Sequence, residues 1–192
     1  MIIGITGGSG SGKTTLLQLI ARQGGVVFDC DAIYHELLKS DPSLLASVSR
    51  RFPGTVTNGV LNRKKLGEIV FSQEQALLDL NEITHAAVKN RVMQLLESKP
   101  SLAAIDAIGL FESGLDKLCN VTVAVTAPEE MRVKRLMIRD GITAEYAKAR
   151  IAAQKSGAEY SRLCDYTLVN DSTWESFQHK CLAFLAEQGI MK

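Results

Sequence analysis

The chain of 192 residues has no surplus of either charge: 22 Lys and Arg stand against 21 Asp and Glu, a formal net charge of +1. Proteins that grip nucleic acid through its phosphates carry a basic surplus, often with interleaved aromatics. Aromatics make up only 6% here, so nucleic acid is not an expected partner and any basic site must be local. The four cysteines, Cys30, Cys119, Cys164 and Cys181, are far apart and form no Cys-x-x-Cys pair. That excludes the usual zinc-ligand and disulfide spacings and leads us to expect reduced thiols in a cytoplasmic protein. No run approaches the ~18 consecutive apolar residues of a membrane span, and the opening residues lack the basic and apolar regions of a signal peptide. Neither a membrane nor a secretory address is expected. Internal repeats and low-complexity tracts are absent too. What is present is a hydrophobic fraction of 46%, enough for one sizeable core with an insertion or a small lid.

The apolar pattern opens with a short strand, Ile2 to Thr6, then a glycine-rich turn and a helix from about Lys13 to Gln23, stopped by Gly24 and Gly25. Val26 to Asp29 is β-branched and aromatic and predicts a second buried strand, giving a βαβ unit of a parallel sheet. From about Ala32 to Pro100 the pattern is mostly helical. Ser40-Asp41-Pro42 marks a helix start, Phe52-Pro53-Gly54 and Asn58-Gly59 mark turns, and Ser72-x-x-Gln75 has capping-box spacing. The box would open a long helix with Leu77, Leu80, Ile83, Ala87, Val88, Val92 and Leu95 on one side. Strands return at Leu102 to Asp106, Val121 to Thr126 and Tyr166 to Val169. Helices are predicted from Glu129 to about Asp140, from Thr143 to about Lys155, and from Trp174 to Gln188. Five strands separated by helices predict a three-layer α/β fold with a five-stranded parallel sheet. Residues 1–31 and 101–192 would form the core, with a helical lid at about 139–157, and residues 32–100 a helical substrate-binding insertion.

Gly7-Gly8-Ser9-Gly10-Ser11-Gly12-Lys13-Thr14 fits G-x-x-x-x-G-K-[ST] in full, between a strand and a helix as that pattern requires. Glycines let successive N–H groups turn toward a phosphate, and the helix N-terminus adds a partial positive charge. Gly8, Gly10, Ser11, Gly12, Lys13, Thr14 and Thr15 are thus expected to hold a nucleotide. Lys13 would bridge the β- and γ-phosphates and Thr14 would offer its hydroxyl to Mg²⁺.

Asp29 and Asp31 end the second strand, two apart and so on one face, at the carboxyl edge where open parallel sheets bind ligands. One carboxylate can take the proton of an attacking hydroxyl and the other can hold Mg²⁺ or orient the acceptor; Asp31 is the expected base and also a candidate metal ligand. The bland alternative is that Asp31 caps the following helix. Asp106-x-x-Gly109 matches a guanine-nucleotide switch pattern, but no Asn-Lys-x-Asp segment accompanies it. Asp106 is instead a candidate metal acid at a strand end, or a turn cap. Arg132, Arg135 and Arg139 share one helical face, and Arg150 follows on the next helix. A solvated face is the common reading of such a row. Beside a nucleotide loop, Arg139 and Arg150 fit a lid that places cations on the migrating phosphoryl group.

In order and spacing these segments resemble the dephospho-CoA kinase family over nearly the whole chain. The segments that carry the likeness are Ile5 to Thr14, Asp29-Cys30-Asp31, Asn58 to Arg63, Ile69-Val70-Phe71, Ile83-Thr84-His85, Leu110 to Leu115, Arg139 to Gln154, and Asp165 to Asn170. The resemblance implies ATP and dephospho-CoA as substrates, with Mg²⁺, and phosphorylation of the ribose 3′-hydroxyl. It also implies Asp31, Arg63 and His85 on the acceptor side and Asn170 on the nucleotide side. A monomer or weak homo-oligomer is expected. The chain departs from the family pattern at His35, Ala86, Ile108-Gly109 and Cys164. The alternatives are a kinase of nucleosides or nucleotides, or a nucleotide-binding regulatory module with no acceptor. Assays over an acceptor panel separate them.

Overall fold

The computed structural model describes residues 1–191. In chain order the elements are β1 (Ile2–Thr6), α1 (Lys13–Arg22), β2 (Val26–Asp29), α2 (Cys30–Ser40), α3 (Pro42–Arg51), β3 (Val56–Thr57), β4 (Val60–Leu61), α4 (Arg63–Ser72), α5 (Glu74–Leu96), β5 (Ala103–Asp106), β6 (Val121–Thr126), α6 (Glu129–Asp140), α7 (Ala144–Ala152), α8 (Gly157–Leu163), β7 (Tyr166–Val169) and α9 (Trp174–Glu187). Two compact units result: Met1–Phe28 with Pro100–Lys192, and Asp29–Lys99. Among the described residues no helix is long and apolar enough to cross a membrane.

The first unit is built on a five-stranded parallel sheet in the order β2-β5-β1-β6-β7. β1 lies at its centre, Ile5 opposite Asp106 on β5 and Val123 on β6, so the loop leaving β1 is held from both sides. Alternate residues point to opposite faces. On one face Ile3, Ile5, Val123 and Val125 join Leu16 and Ile20 of α1 and Phe177, Cys181 and Leu185 of α9 in one fully or nearly fully buried cluster. On the other face the chain between β5 and β6 runs so close that a Cβ at Gly4 would meet Cys119 Sγ at 2.7 Å and Leu110 Cδ2 at 2.9 Å. Only glycine fits there. Burial pushes the thiols of Cys119 and Cys181 up to about 12 and that of Cys164 to about 11, far from the thiolate that nucleophilic chemistry requires.

The second unit is helical, with a small antiparallel hairpin of β3 and β4 turning at Asn58-Gly59. Here the turn signal was legible but the two-residue strands were not. α5 is its spine: Ala76, Leu80, Thr84, Val88 and Val92 are buried. A four-residue spacing advances about 40° around the helix each step, so the stripe winds past α4, α2 and α3, all of which pack on α5. This corrects the predicted face, since Leu77 is exposed and Ile83, Ala87 and Leu95 are only partly covered. The predicted capping box at Ser72 is also absent. Ser72 is the last residue of α4 and its hydroxyl donates to Ile69 O at 2.9 Å; Gln73, with extended backbone, is the N-cap of α5.

Candidate active site

Most helices here start with a side-chain cap: Asp41, Asn62, Thr143, Ser156 and Thr173 each accept a backbone N–H. α1 does not. Its N-cap is Gly12, with no side-chain bond and no acidic residue in the first turn. The orphan N–H groups and the positive end of the helix dipole are therefore left at the end of the glycine-rich loop. The loop reaches that state through left-handed backbone at Gly7, Gly10 and Gly12, with φ of 136°, 78° and 103°.

Three side chains donate to carbonyls of the loop from outside. Arg132 on α6, 6% exposed, donates from Nε to Ser9 O at 2.9 Å. Arg135 donates from Nη1 to Gly10 O and Ser11 O at 3.1 and 3.3 Å and from Nη2 to Asn170 Oδ1 at 3.0 Å. Asn170, at the end of β7, donates from Nδ2 to Ser11 O at 2.8 Å. In a trans peptide C=O and N–H point in opposite directions. Drawing the carbonyls of Ser9 and Ser11 outward therefore turns the amides of Gly10 and Gly12 inward. Burial lowers the affinity of both arginines for their protons, but a guanidinium remains charged at any physiological pH.

Inside the loop, Lys13 donates from Nζ to Gly7 O at 2.9 Å and lies 3.9 Å from Asp106 Oδ1. Asp106 ends β5 beside β1, as the register requires. Thr14 is exposed in the first turn of α1, and Ser11 Oγ is buried without a hydrogen-bond partner. Thr14 and Asp106 carry hard oxygen atoms of the kind that a divalent cation takes.

The arginines chosen from sequence lie elsewhere in this state. Arg139 pairs with Asp140 through Nε at 2.7 Å and Nη2 at 2.9 Å, and Arg150 Nη1 reaches the same carboxylate at 2.9 Å. Their hydrogen bonds and charge hold the Asp140 carboxyl below its ordinary range. Sequence reading ranked Arg139 and Arg150 above Arg132 and Arg135. The inner pair could be told apart only by burial, because they share the helical face with Arg139. Gln154 follows α7 and has no local sequence signal beyond its place in the family-like segment. The single helix expected from Thr143 to Lys155 ends at Ala152, and α8 follows, opened by a capping box between Ser156 and Glu159.

In the second unit, the two strand-end acids part company. Asp29 caps α2, its Oδ1 accepting from Ala32 N at 2.9 Å. Asp31 lies exposed in the first helical turn, so the two do not share a strand face and the capping alternative belongs to Asp29. Arg63 lines a cavity of about 200 Å³ with Tyr34, His35, Leu61, Phe71 and Leu80. Burial raises the Tyr34 hydroxyl above its ordinary range, against an opposing pull from Arg63. His85 is half-buried on α5, and burial lowers its imidazole below its ordinary range.

Comparison with known proteins decides the lineage. The model of the dephospho-CoA kinase family matches residues 1–176. The chain belongs to the dephospho-CoA kinase family. A dephospho-CoA kinase from Syntrophotalea carbinolica is 33% identical over 192 residues, covering 97% of this chain and 91% of that protein. A protein of solved structure from Thermus thermophilus is 33% identical, with a TM-score of 0.82 and 97% of each chain covered. The dephospho-CoA kinase of Campylobacter jejuni is 26% identical, with a TM-score of 0.69, covering 99% of this chain and 98% of that one. As a member of the dephospho-CoA kinase family the chain is a kinase with a nucleotide-binding phosphate loop, and the clamp of Arg132, Arg135 and Asn170 is the scaffold of that loop.

Proposed function

We propose that this protein transfers the γ-phosphoryl group of ATP to the 3′-hydroxyl of the dephospho-CoA ribose, giving coenzyme A and ADP. The observation that carries this reading is the phosphate loop held open by its outer clamp, with Lys13 beside Asp106, in a chain matched to the family over residues 1–176. The inward amides of the loop would take the β-phosphate, and Lys13 would draw off charge from the group in flight. Thr14 and Asp106 would hold Mg²⁺, which would neutralise charge on the nucleotide's phosphates. Asp31, not spent as a cap, would accept the proton of the attacking hydroxyl. Arg63 and His85 would serve the acceptor. Arg139 and Arg150 would turn from Asp140 to the phosphates on closure.

The test is ADP release over a panel of dephospho-CoA, nucleosides and nucleoside monophosphates with ATP and Mg²⁺. Turnover with dephospho-CoA and a product bearing the new phosphate on the ribose 3′-oxygen by NMR is expected. Turnover with a nucleoside or nucleotide in place of dephospho-CoA would overturn the acceptor assignment.

A further inference from the structure

α6 and α7 form a hairpin with a small core of its own, in which Val133, Leu136, Ala147 and Ile151 are buried together apart from the main cluster. Such a unit can shift against the sheet more easily than an element rooted in the main core. Its far end is nevertheless tied to the phosphate loop at one residue. Ser9 N–H donates to Gln154 Oε1 at 2.8 Å, and Gln154 Nε2 donates to Ser9 Oγ at 2.8 Å. Arg132 closes the circuit, with Nε on Ser9 O at 2.9 Å and Nη2 on Gln154 Oε1 at 3.1 Å. All three polar groups of Ser9, itself buried, thus bond to Gln154 and Arg132. Immediately beyond Gln154, Lys155 pairs with Glu112, so two successive residues anchor the end of the hairpin.

We infer that Gln154 is a positioning residue that latches the α6–α7 hairpin to the phosphate loop, so that seating of the hairpin and readiness of the loop for ATP are one event. The amide is suited to this because it offers an acceptor and a donor from one planar group, matching the N–H and Oγ of a single serine, and its acceptor is shared with a cation. Methionine has the shape and neither function. Glutamate keeps the acceptor and can pair with Arg132, but it places a negative charge at a loop meant for phosphate. A tie that served only the fold would accept glutamate.

The inference rests on the loop binding ATP, so wild-type binding of a non-hydrolysable ATP analogue with Mg²⁺ is measured first by calorimetry. Absence of binding there sinks the functional reading itself. With wild-type binding established, Gln154→Met is expected to weaken the analogue by about five- to thirty-fold, the worth of one or two ordinary hydrogen bonds. The KM for dephospho-CoA should stay within a factor of about two. Gln154→Glu is expected to keep the wild-type melting temperature yet weaken the analogue at least as much as Met, with relief at high salt. Ser9→Ala, which removes only the hydroxyl, should weaken ATP binding several-fold in the wild-type background and hardly at all in Gln154→Met. Wild-type affinity in Gln154→Glu, or equal effects of Ser9→Ala in both backgrounds, would overturn the latch. Should Gln154→Met fail to fold, Gln154→Glu and Ser9→Ala still decide.

Discussion

Gly8→Ala probes the outer clamp with a single added methyl group. Gly8 does not have the left-handed backbone of its neighbours, so alanine brings no backbone penalty there, only a methyl group. That Cβ would sit 2.1 Å from Arg132 Nη2, 2.7 Å from its Cζ and 3.0 Å from Gln154 Oε1, and the guanidinium must move. Two charge-assisted bonds are at stake, to Ser9 O and to Gln154 Oε1, each worth roughly 1.5–3 kcal/mol. With partial relaxation about 2–4 kcal/mol is lost, which for a chain of this size lowers the melting temperature by roughly 5–15 °C. Because Ser9 O sets the direction of the Gly10 amide, affinity for ATP should fall about ten-fold or more as well. Scanning calorimetry gives the first quantity and titration with an ATP analogue the second. Arg132→Ala removes the colliding group, so Gly8→Ala should cost little in that background. Wild-type melting and affinity in the single variant, or additive losses in the double, would refute the clamp.

Lys13→Ala should lower kcat by about 10²–10³-fold or more, the scale of losing one preorganised charge donor, with the fold kept, because Lys13 contributes a hydrogen bond to Gly7 O and a long ion pair of 3.9 Å to Asp106 and no core packing; stopped-flow ADP release checks it. Asp140→Asn frees Arg139 and Arg150 from their shared carboxylate and should lower the KM for ATP by a few-fold at low salt, with the gain fading as salt rises; an unchanged KM would show that this brace does not compete with phosphate. Burial holds the His85 imidazole below its ordinary range, so the unfolded chain binds its proton more readily. Stability on this account is full above the unfolded value of about 6.5 and falls as pH drops below it. Melting curves from pH 7.5 to 5 should show this slope, and His85→Gln should flatten it.

What the sequence determined by itself is local. The strand, glycine turn and lysine-threonine helix start are set by residues within one another's reach, and so are the stops at Gly24-Gly25 and Gly141 and the cap at Asp41. β2 and β6 match their predicted spans because a β-branched run between turn signals has few alternatives. The tertiary structure decided whatever depends on which face is covered. Ser72-x-x-Gln75 and Ser156-x-x-Glu159 share one spacing, but only the second is a capping box, since Ser72 is drawn into the end of α4, whose Leu66 and Val70 are buried. Asp29 and Asp31 are separated as cap and first-turn residue by the place where β2 stops. Arg132, Arg135 and Arg139 are equivalent on a helical wheel, and it is the packing of α6 that turns the first two onto the loop carbonyls and leaves the third with Asp140. A hydrogen bond between residues 145 positions apart, Ser9 to Gln154, has no local cause for a sequence to show. It exists because the sheet and its helices bring two distant turns to the same point.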